Sequence, residues 1–317
     1  MARYILRRIL ESIPLLIGVS VITFALLMLA PGDPIAFLVP PEQMQSVDRR
    51  VLEEQLGLDK PAPVQYVQTM TGLLSGRLRS FRERRPTLEM MGEAMPATVI
   101  LTLCALAVAF ALALPIAIIS AVRPYSLIDH VATVTSLLGV SLPNFWFALV
   151  LIFIFTDQLG WLPASGIRPV GVDGYPVGVI WRYLIMPTIV MALSILPPLV
   201  RYARSSLLDV LSQDYIRVAR SKGLSEPVVL IKHALRNSLI PVATVLGLLL
   251  PFLLGGSVIV ETIFAVPGVG MLAVTSALTR DYPVVMTTTM IASALVVVSN
   301  LLTDVSYALL DPRIRHD

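Results

Sequence analysis

The chain has 317 residues, of which 56% are hydrophobic and only 14% charged, with a mean hydropathy of +0.80. Soluble domains carry roughly one-quarter charged residues, so this balance excludes one and points to an integral membrane protein. The net charge of +3 is spread along the whole chain, which leaves no isolated basic domain to grip nucleic acid.

Uncharged runs long enough to cross a bilayer predict an all-α protein with six transmembrane helices, over about 10–31, 95–122, 131–156, 183–203, 238–260 and 283–306. They form one transmembrane domain over 9–310, between short tails at 1–8 and 311–317. The first run follows the basic Arg3, Arg7 and Arg8, yet it outlasts the 7 to 15 apolar residues of a signal peptide, and Pro31 follows the best cleavage residue, Ala30. A retained helix is expected. The loop at 32–93 is the largest piece outside the membrane; apolar spacing over Leu52–Leu58, ended by Gly57 before Pro61 and Pro63, predicts one short amphipathic helix there. That loop reads as a solvated cap or as a contact for an external partner, and is too small for a catalytic domain. The fourth span is the shortest and contains Pro187, Pro197 and Pro198, so it is the one expected to kink.

Lysine and arginine in the short loops set the orientation. With the N-terminus in the cytoplasm, Arg123, Arg201, Arg204, Arg217, Arg220, Lys222, Lys232, Arg236, Arg313 and Arg315 fall inside, against only Arg168, Arg182 and Arg280 in the short outer loops. Both termini are then cytoplasmic, and 32–93 is extracytoplasmic. Basic residues in that long loop do not count against this, because long loops cross largely regardless of charge.

The cytoplasmic segment 211–237 is the most informative stretch. Asp214 stands where a helix start favours an anion, and Arg217, Arg220 and Lys222 crowd where its end favours cations. Gly223 stops that helix, and Ser225, Glu226 and Pro227 read as a new N-cap and first turn. Helix, tight corner and helix is the shape of a docking surface. The plainer alternative is a loop that is basic only because cytoplasmic loops are. A DNA-binding helix-turn-helix shares the glycine turn, but apolar spans hold this segment at both ends.

Catalysis finds no foothold. His130, His233, His316 and the lone Cys104 have no zinc-ligand spacing, and neither a G-x-S-x-G nor a G-x-x-x-x-G-K-[ST] motif occurs. The chain is therefore read as a non-enzyme, with no cofactor of its own and no means of hydrolysing ATP alone. Asp157, Glu261 and Asp304 lie near span ends, so no carboxylate sits mid-span as proton-coupled transport commonly needs. An ion-gradient-driven transporter and a purely structural membrane protein remain the alternatives. Candidate lining of a solute path comes from Asn144, Phe145 and Trp146 after Pro143, from Ser194 with Pro197 in the broken fourth span, and from Gly255, Gly256 and Glu261. Against this, Phe and Trp equally pack on lipid or neighbouring helices, and the glycines equally mark close helix packing.

Several stretches carry a resemblance in order and spacing: RYILRRIL near the start, LAPGDP at Leu29–Pro34, SLPNFWFAL at Ser141–Leu149, GWLPASG at Gly160–Gly166, DYIRVARSKGLS at Asp214–Ser225, HALRNSLIP at His233–Pro241, GGSVIVETIFAVPGVG at Gly255–Gly270 and LLDPRIR at Leu309–Arg315. The chain resembles, nearly end to end, the membrane permease subunit of bacterial ATP-binding-cassette importers of the dipeptide and oligopeptide family. The resemblance implies that 211–237 couples to an ATPase subunit, with Arg217, Val218 and Ala219 at the family's E-A-A positions and Gly223 at its glycine. Arginine for glutamate at 217 departs from that signature, and of its I-x-L-P ending, which begins at His233, only Leu235 is kept. Tyr215, Val218, Ala219 and Leu224 are then expected to supply apolar contact, and Arg217, Arg220 and Lys222 electrostatic fit.

An outer gate at Glu261–Gly270 is likewise implied by resemblance alone. So are the partners: a second, related permease forming a heterodimer, two ATPase subunits that bind ATP and Mg, and an extracytoplasmic solute-binding protein. The implied setting is the bacterial inner membrane, with lipid as the surrounding partner. The implied cargo is short peptides, with nickel chelates, glutathione, opines or oligosaccharides as alternatives within the same class.

Overall fold

An apolar chain in lipid must satisfy its own backbone hydrogen bonds, and this one does so with helices. The computed structural model describes residues 2–39, 48–127, 129–131, 134, 142–168, 177–239, 242 and 258–310, with the backbone alone at 2–5, 177 and 302–310. In chain order the helices are α1 (Ala2–Leu29), α2 (Pro34–Leu38), α3 (Arg49–Leu56), α4 (Ala62–Leu74), α5 (Thr87–Val122), α6 (Asn144–Gln158), α7 (Val177–Leu211), α8 (Asp214–Ser221), α9 (Glu226–Val228, prolonged by π-helical turns over Val229–Leu235), α10 (Val269–Leu278) and α11 (Tyr282–Leu310). Among the described residues the only extended pairing is one bridge between Arg79 and Pro86.

Leu6–Leu29, Thr87–Val122, Gly178–Leu211 and Tyr282–Leu301 are long and apolar enough to cross a membrane. They overlap the first, second, fourth and sixth expected spans, with different ends. The third is described mainly in its second half, as α6, and the fifth lies largely outside the described residues, Gly255 and Gly256 included. α5 begins at Thr87 rather than near 95, because Glu89 and Glu93 interrupt the apolar run without interrupting the helix. Glu89, in the first turn, suits the positive end of the helix dipole.

α7 differs most from expectation. It is 35 residues long, runs through Pro187, Pro197 and Pro198, and continues well past the apolar run to Leu211. Its apolar window is the most buried of the four, and neighbouring helices that enclose a proline-bearing span can compensate the hydrogen bonds that proline removes.

The segment between the first two spans contains three helices where the sequence suggested one. α3 matches the expectation, capped by Asp48, which accepts from the Arg50 N–H at 3.0 Å, and ended by Gly57 at φ +69°. α4 was missed because Pro61 and Pro63 read as breakers. Both fall at the cap and first turn of α4, where a proline costs no hydrogen bond.

Two units divide the chain. One comprises 1–99 with 266–298, the other 100–265 with 299–317. In the first, Met91, Ala94 and Val269 form a buried cluster flanked by Met95, Leu272 and Ile291. α10 starts after Gly268, which has no side chain to cap it, and the Val269 N–H instead donates to Thr98 Oγ1 at 2.8 Å. Asp281, buried just before α11, accepts from the Ser80 hydroxyl and from the Phe81 N–H at 3.0 Å, which pins the turn before α5.

In the second unit Ala113 and Ala117 of α5 pack with Leu199, Val200 and Ala203 of α7 and with Val242. These alanines belong to a buried row at four-residue spacing along α5: Ala97, Leu101, Ala105, Ala109, Ala113, Ala117 and Ala121. Without a hydrophobic driving force between helices in lipid, small residues that let backbones approach supply the packing. Ala117→Leu should therefore overpack the α5–α7 contact, at a cost of about 1–3 kcal/mol. Thermal unfolding of the detergent-solubilised chain reads that loss; an unchanged transition would show the row to be incidental.

Candidate functional site

α8 opens at Asp214 without a side-chain cap; the first-turn carboxylate suits the helix dipole and lies 3.5 Å from Arg217. Its last turn carries Arg220, and the chain then turns at Gly223, whose φ is +76° and whose N–H donates to the Arg220 carbonyl at 2.9 Å. Ser225 is extended and stands at the N-cap of α9, but its side chain makes no capping bond; its carbonyl accepts from the Val228 and Val229 N–H groups at 2.9 and 3.0 Å. Across the corner the Arg220 guanidinium donates to Glu226 at 2.8 Å. Arg220 is thus used to hold the corner itself. At the open end Asn237 donates to the Tyr215 hydroxyl at 2.9 Å, closing the two helices into a hairpin.

The hairpin has two faces. Inward, Ile216 and Ala219 of α8 meet Val229 and Ala234 of α9, Leu207 of α7 and Ala121 of α5 in one buried cluster. Val229 and Ala234 are five apart, and the i→i+5 turns of a π-helix put such residues on one face. Outward stand Tyr215, Val218, Leu224, Val228 and Ile231, with Ile231 67% exposed. Of the residues expected to supply contact to a partner, Ala219 points the other way: at 6% exposure it is packed inside the chain, where only a small side chain fits between α8 and α9. Arg217, Lys222, Lys232 and Arg236 are exposed, while His233 and Leu235 are half-buried.

A second feature was not found from sequence. Arg204 of α7 grips Asp129 with both arms, Nε at 2.7 Å and Nη2 at 2.8 Å, and Asp129 also accepts from the Tyr125 N–H at 2.9 Å. Asp129 is buried, and its carboxyl is held below the usual range, chiefly by the Arg204 hydrogen bond and against the opposing effect of burial. This pair ties the turn after α5 to the extension of α7 that leads into α8. Ser206 of the same extension donates to the Ser238 carbonyl at 2.9 Å, so the extension is also tied to the end of the hairpin.

Of the candidate path residues, the structure joins Asn144 and Ser194: the Ser194 hydroxyl donates to Asn144 Oδ1 at 2.9 Å, linking α6 to α7. Pro197 and Glu261 are buried. Phe145 and Trp146 are about half-exposed on α6 and do not join that pair. Among the described residues no three of His, Cys, Asp and Glu converge as a metal site needs.

A helical, multi-pass membrane protein with an ordered helix-corner-helix between two spans is the class these features define. Residues 113–316 match the family model for the binding-protein-dependent transport system inner membrane component, and residues 1–102 match that of its N-terminal part. The chain is 43% identical to the oligopeptide transport system permease protein AppB of Bacillus subtilis, with all of both chains covered. It is 38% identical to a putative peptide permease protein of Brucella suis, over 99% of each, and 39% identical to the glutathione transport system permease protein GsiC of Salmonella choleraesuis, over all of both. The crystal structure of an amino acid ABC transporter with histidines shares the fold, at a TM-score of 0.51 and 17% identity over 72% of this chain and 95% of that one. The chain belongs to the family of binding-protein-dependent transport system inner membrane components, as a permease component and not an enzyme.

Proposed function

We propose that this chain is one permease of an ATP-driven importer of short peptides, working with a second related permease, two ATPase subunits and an extracytoplasmic solute-binding protein. The full-length 43% identity to an oligopeptide permease is the observation that carries the peptide assignment. The basic residues of the short loops support cytoplasmic termini, and the ordered hairpin at Asp214–Leu235 supports docking of an ATPase subunit on that side. Nucleotide and Mg are then held by those partners. The hairpin is fastened to α5 and α7, so movement of a docked subunit passes into the spans as rigid-body rocking, the usual basis of alternating access. In the solute path, Asn144 and Ser194 offer polar groups where α6 meets α7. Glutathione is the second reading, favoured by the 39% identity to a glutathione permease.

The complex reconstituted in lipid vesicles tests this. Loaded binding protein with a mixed peptide pool should stimulate ATP hydrolysis and peptide uptake several-fold. Stimulation by glutathione alone would move the cargo to the second reading, and gradient-driven uptake by the chain without any ATPase would overturn the importer.

A further inference from the structure

We infer that α4 is seated in the bilayer, with the face bearing Val64, Val67, Thr71 and Leu74 turned to lipid acyl chains in the leaflet at the C-terminal end of α1. The sequence puts this segment in a solvated loop, but the contacts of α4 set it deeper. The Tyr66 hydroxyl and Ser20 Oγ of α1 are 2.7 Å apart, and the Tyr66 ring stands edge-on to Phe24 with centroids 5.5 Å apart. Ser20 lies near the middle of the uncharged run 12–32. At 1.5 Å per residue it is about 14 Å inside the end of α1 at Leu29, and Phe24 about 8 Å inside it. Half the hydrocarbon core is about 15 Å, so both contacts fall at hydrocarbon depth. Gln68 and Thr69 of α4 also share a small cavity with Phe24 and Met28 of α1 and with Tyr282 and Met286 in the first two turns of α11. α4 is therefore packed beside the ends of two spans, at their level.

Its construction suits a place where water is scarce. No charged residue occurs over 61–76, between Lys60 and Arg77. Pro61 and Pro63 at the start have no N–H to leave without a partner. At the end, the carbonyls of Thr71, Gly72 and Leu73 accept from the N–H groups of Ser75, Arg77 and Gly76 respectively. Gln65 donates to the Leu58 and Lys60 carbonyls, Gln68 accepts from Lys60, and Thr71 folds its hydroxyl onto the Val67 carbonyl at 2.7 Å. These polar groups are satisfied within the chain, as a lipid-facing helix requires. Outward, at helical spacing, stand Val64, Val67, Thr71 and Leu74, with Leu74 83% exposed. Beside them runs α1, whose apolar window is almost wholly unburied. Arg77, exposed just past α4, has a side chain long enough to reach the phosphate layer. A soluble protein approaching from the water does not reach the depth of Phe24, whereas acyl chains fill it.

Nitroxide labels on the full chain in lipid vesicles test this. The one cysteine is replaced by Cys104→Ser, and single cysteines are introduced by Val67→Cys and Leu74→Cys, with Arg50→Cys on the charged helix α3 as the reference in water. Oxygen concentrates among acyl chains. Relative to a water-soluble nickel chelate, it should collide with labels at 67 and 74 several-fold more often than with the label at 50. The same order should hold in the assembled transporter, with the second permease, the ATPase subunits and the binding protein present. Chelate access at 67 and 74 equal to that at 50 would put the face in water and overturn the inference. Shielding from both reagents in the assembled transporter alone would overturn it too, by making a protein the occupant. Neither result depends on what the chain transports.

Discussion

Gly223→Val should reduce ATP-driven uptake to below about a tenth while the chain still inserts and accumulates in the membrane. The reason is backbone strain and not crowding: a Cβ added at Gly223 would meet no heavy atom within 4 Å, but φ is +76°. An L-residue in the left-handed region costs about 1–2 kcal/mol, and a β-branched one is a genuine outlier there. Relaxation of that strain swings the corner, which pulls Arg220 away from Glu226 and turns the outward strip of α8 relative to that of α9. The same logic predicts that Gly223→Asn retains most uptake, because asparagine tolerates the left-handed region. Transport and ATPase co-purification, measured on both variants at matched membrane levels, check this. Normal uptake by the valine variant, or equal loss in both, would remove the corner from the coupling path.

The corner was legible because its signals are local. Asp214, Gly223 and Pro227 each act on the backbone within a turn of themselves, and the structure places a helix start, a left-handed turn and a second start where they stand. The two faces of the hairpin were not legible. A 3.6-residue period over Val229–Leu235 does not anticipate π-helical turns, and those turns decide that Val229 and Ala234 point inward while Ile231 points out. Ala219 was misread for a related reason: its place in a partner-docking motif says nothing about which side of α8 packs on α9. The alanine row of α5 was visible in the sequence as a four-residue repeat, yet all-apolar spans give no amphipathic contrast to single it out. The Asp129–Arg204 pair joins residues 75 apart, each of which reads alone as an ordinary loop charge.

That pair carries the other large effect. Asp129→Ala should lower the thermal transition of the solubilised chain by about 5–10 °C, corresponding to about 3 kcal/mol, because Arg204 keeps its charge in a largely enclosed site with its partner gone. Arg204→Lys should cost less, since it preserves the charge but loses the two-armed grip. The pH dependence separates this from a simple packing defect. The Asp129 carboxyl is ordinarily near 3.8 and is lowered in the folded chain, so its stabilisation is fully present above that value and drains away as pH falls through the lowered one. The unaltered chain should lose this increment only below about pH 4, while Asp129→Asn, which cannot titrate, should start less stable and lose nothing further from this site. Identical acid limbs for the two proteins would show that the ion pair contributes nothing. Because the pair fixes the α7 extension that bears the hairpin, Asp129→Asn should also raise ATP hydrolysed per solute imported; unchanged stoichiometry alongside reduced stability would make it a structural clamp with no part in coupling.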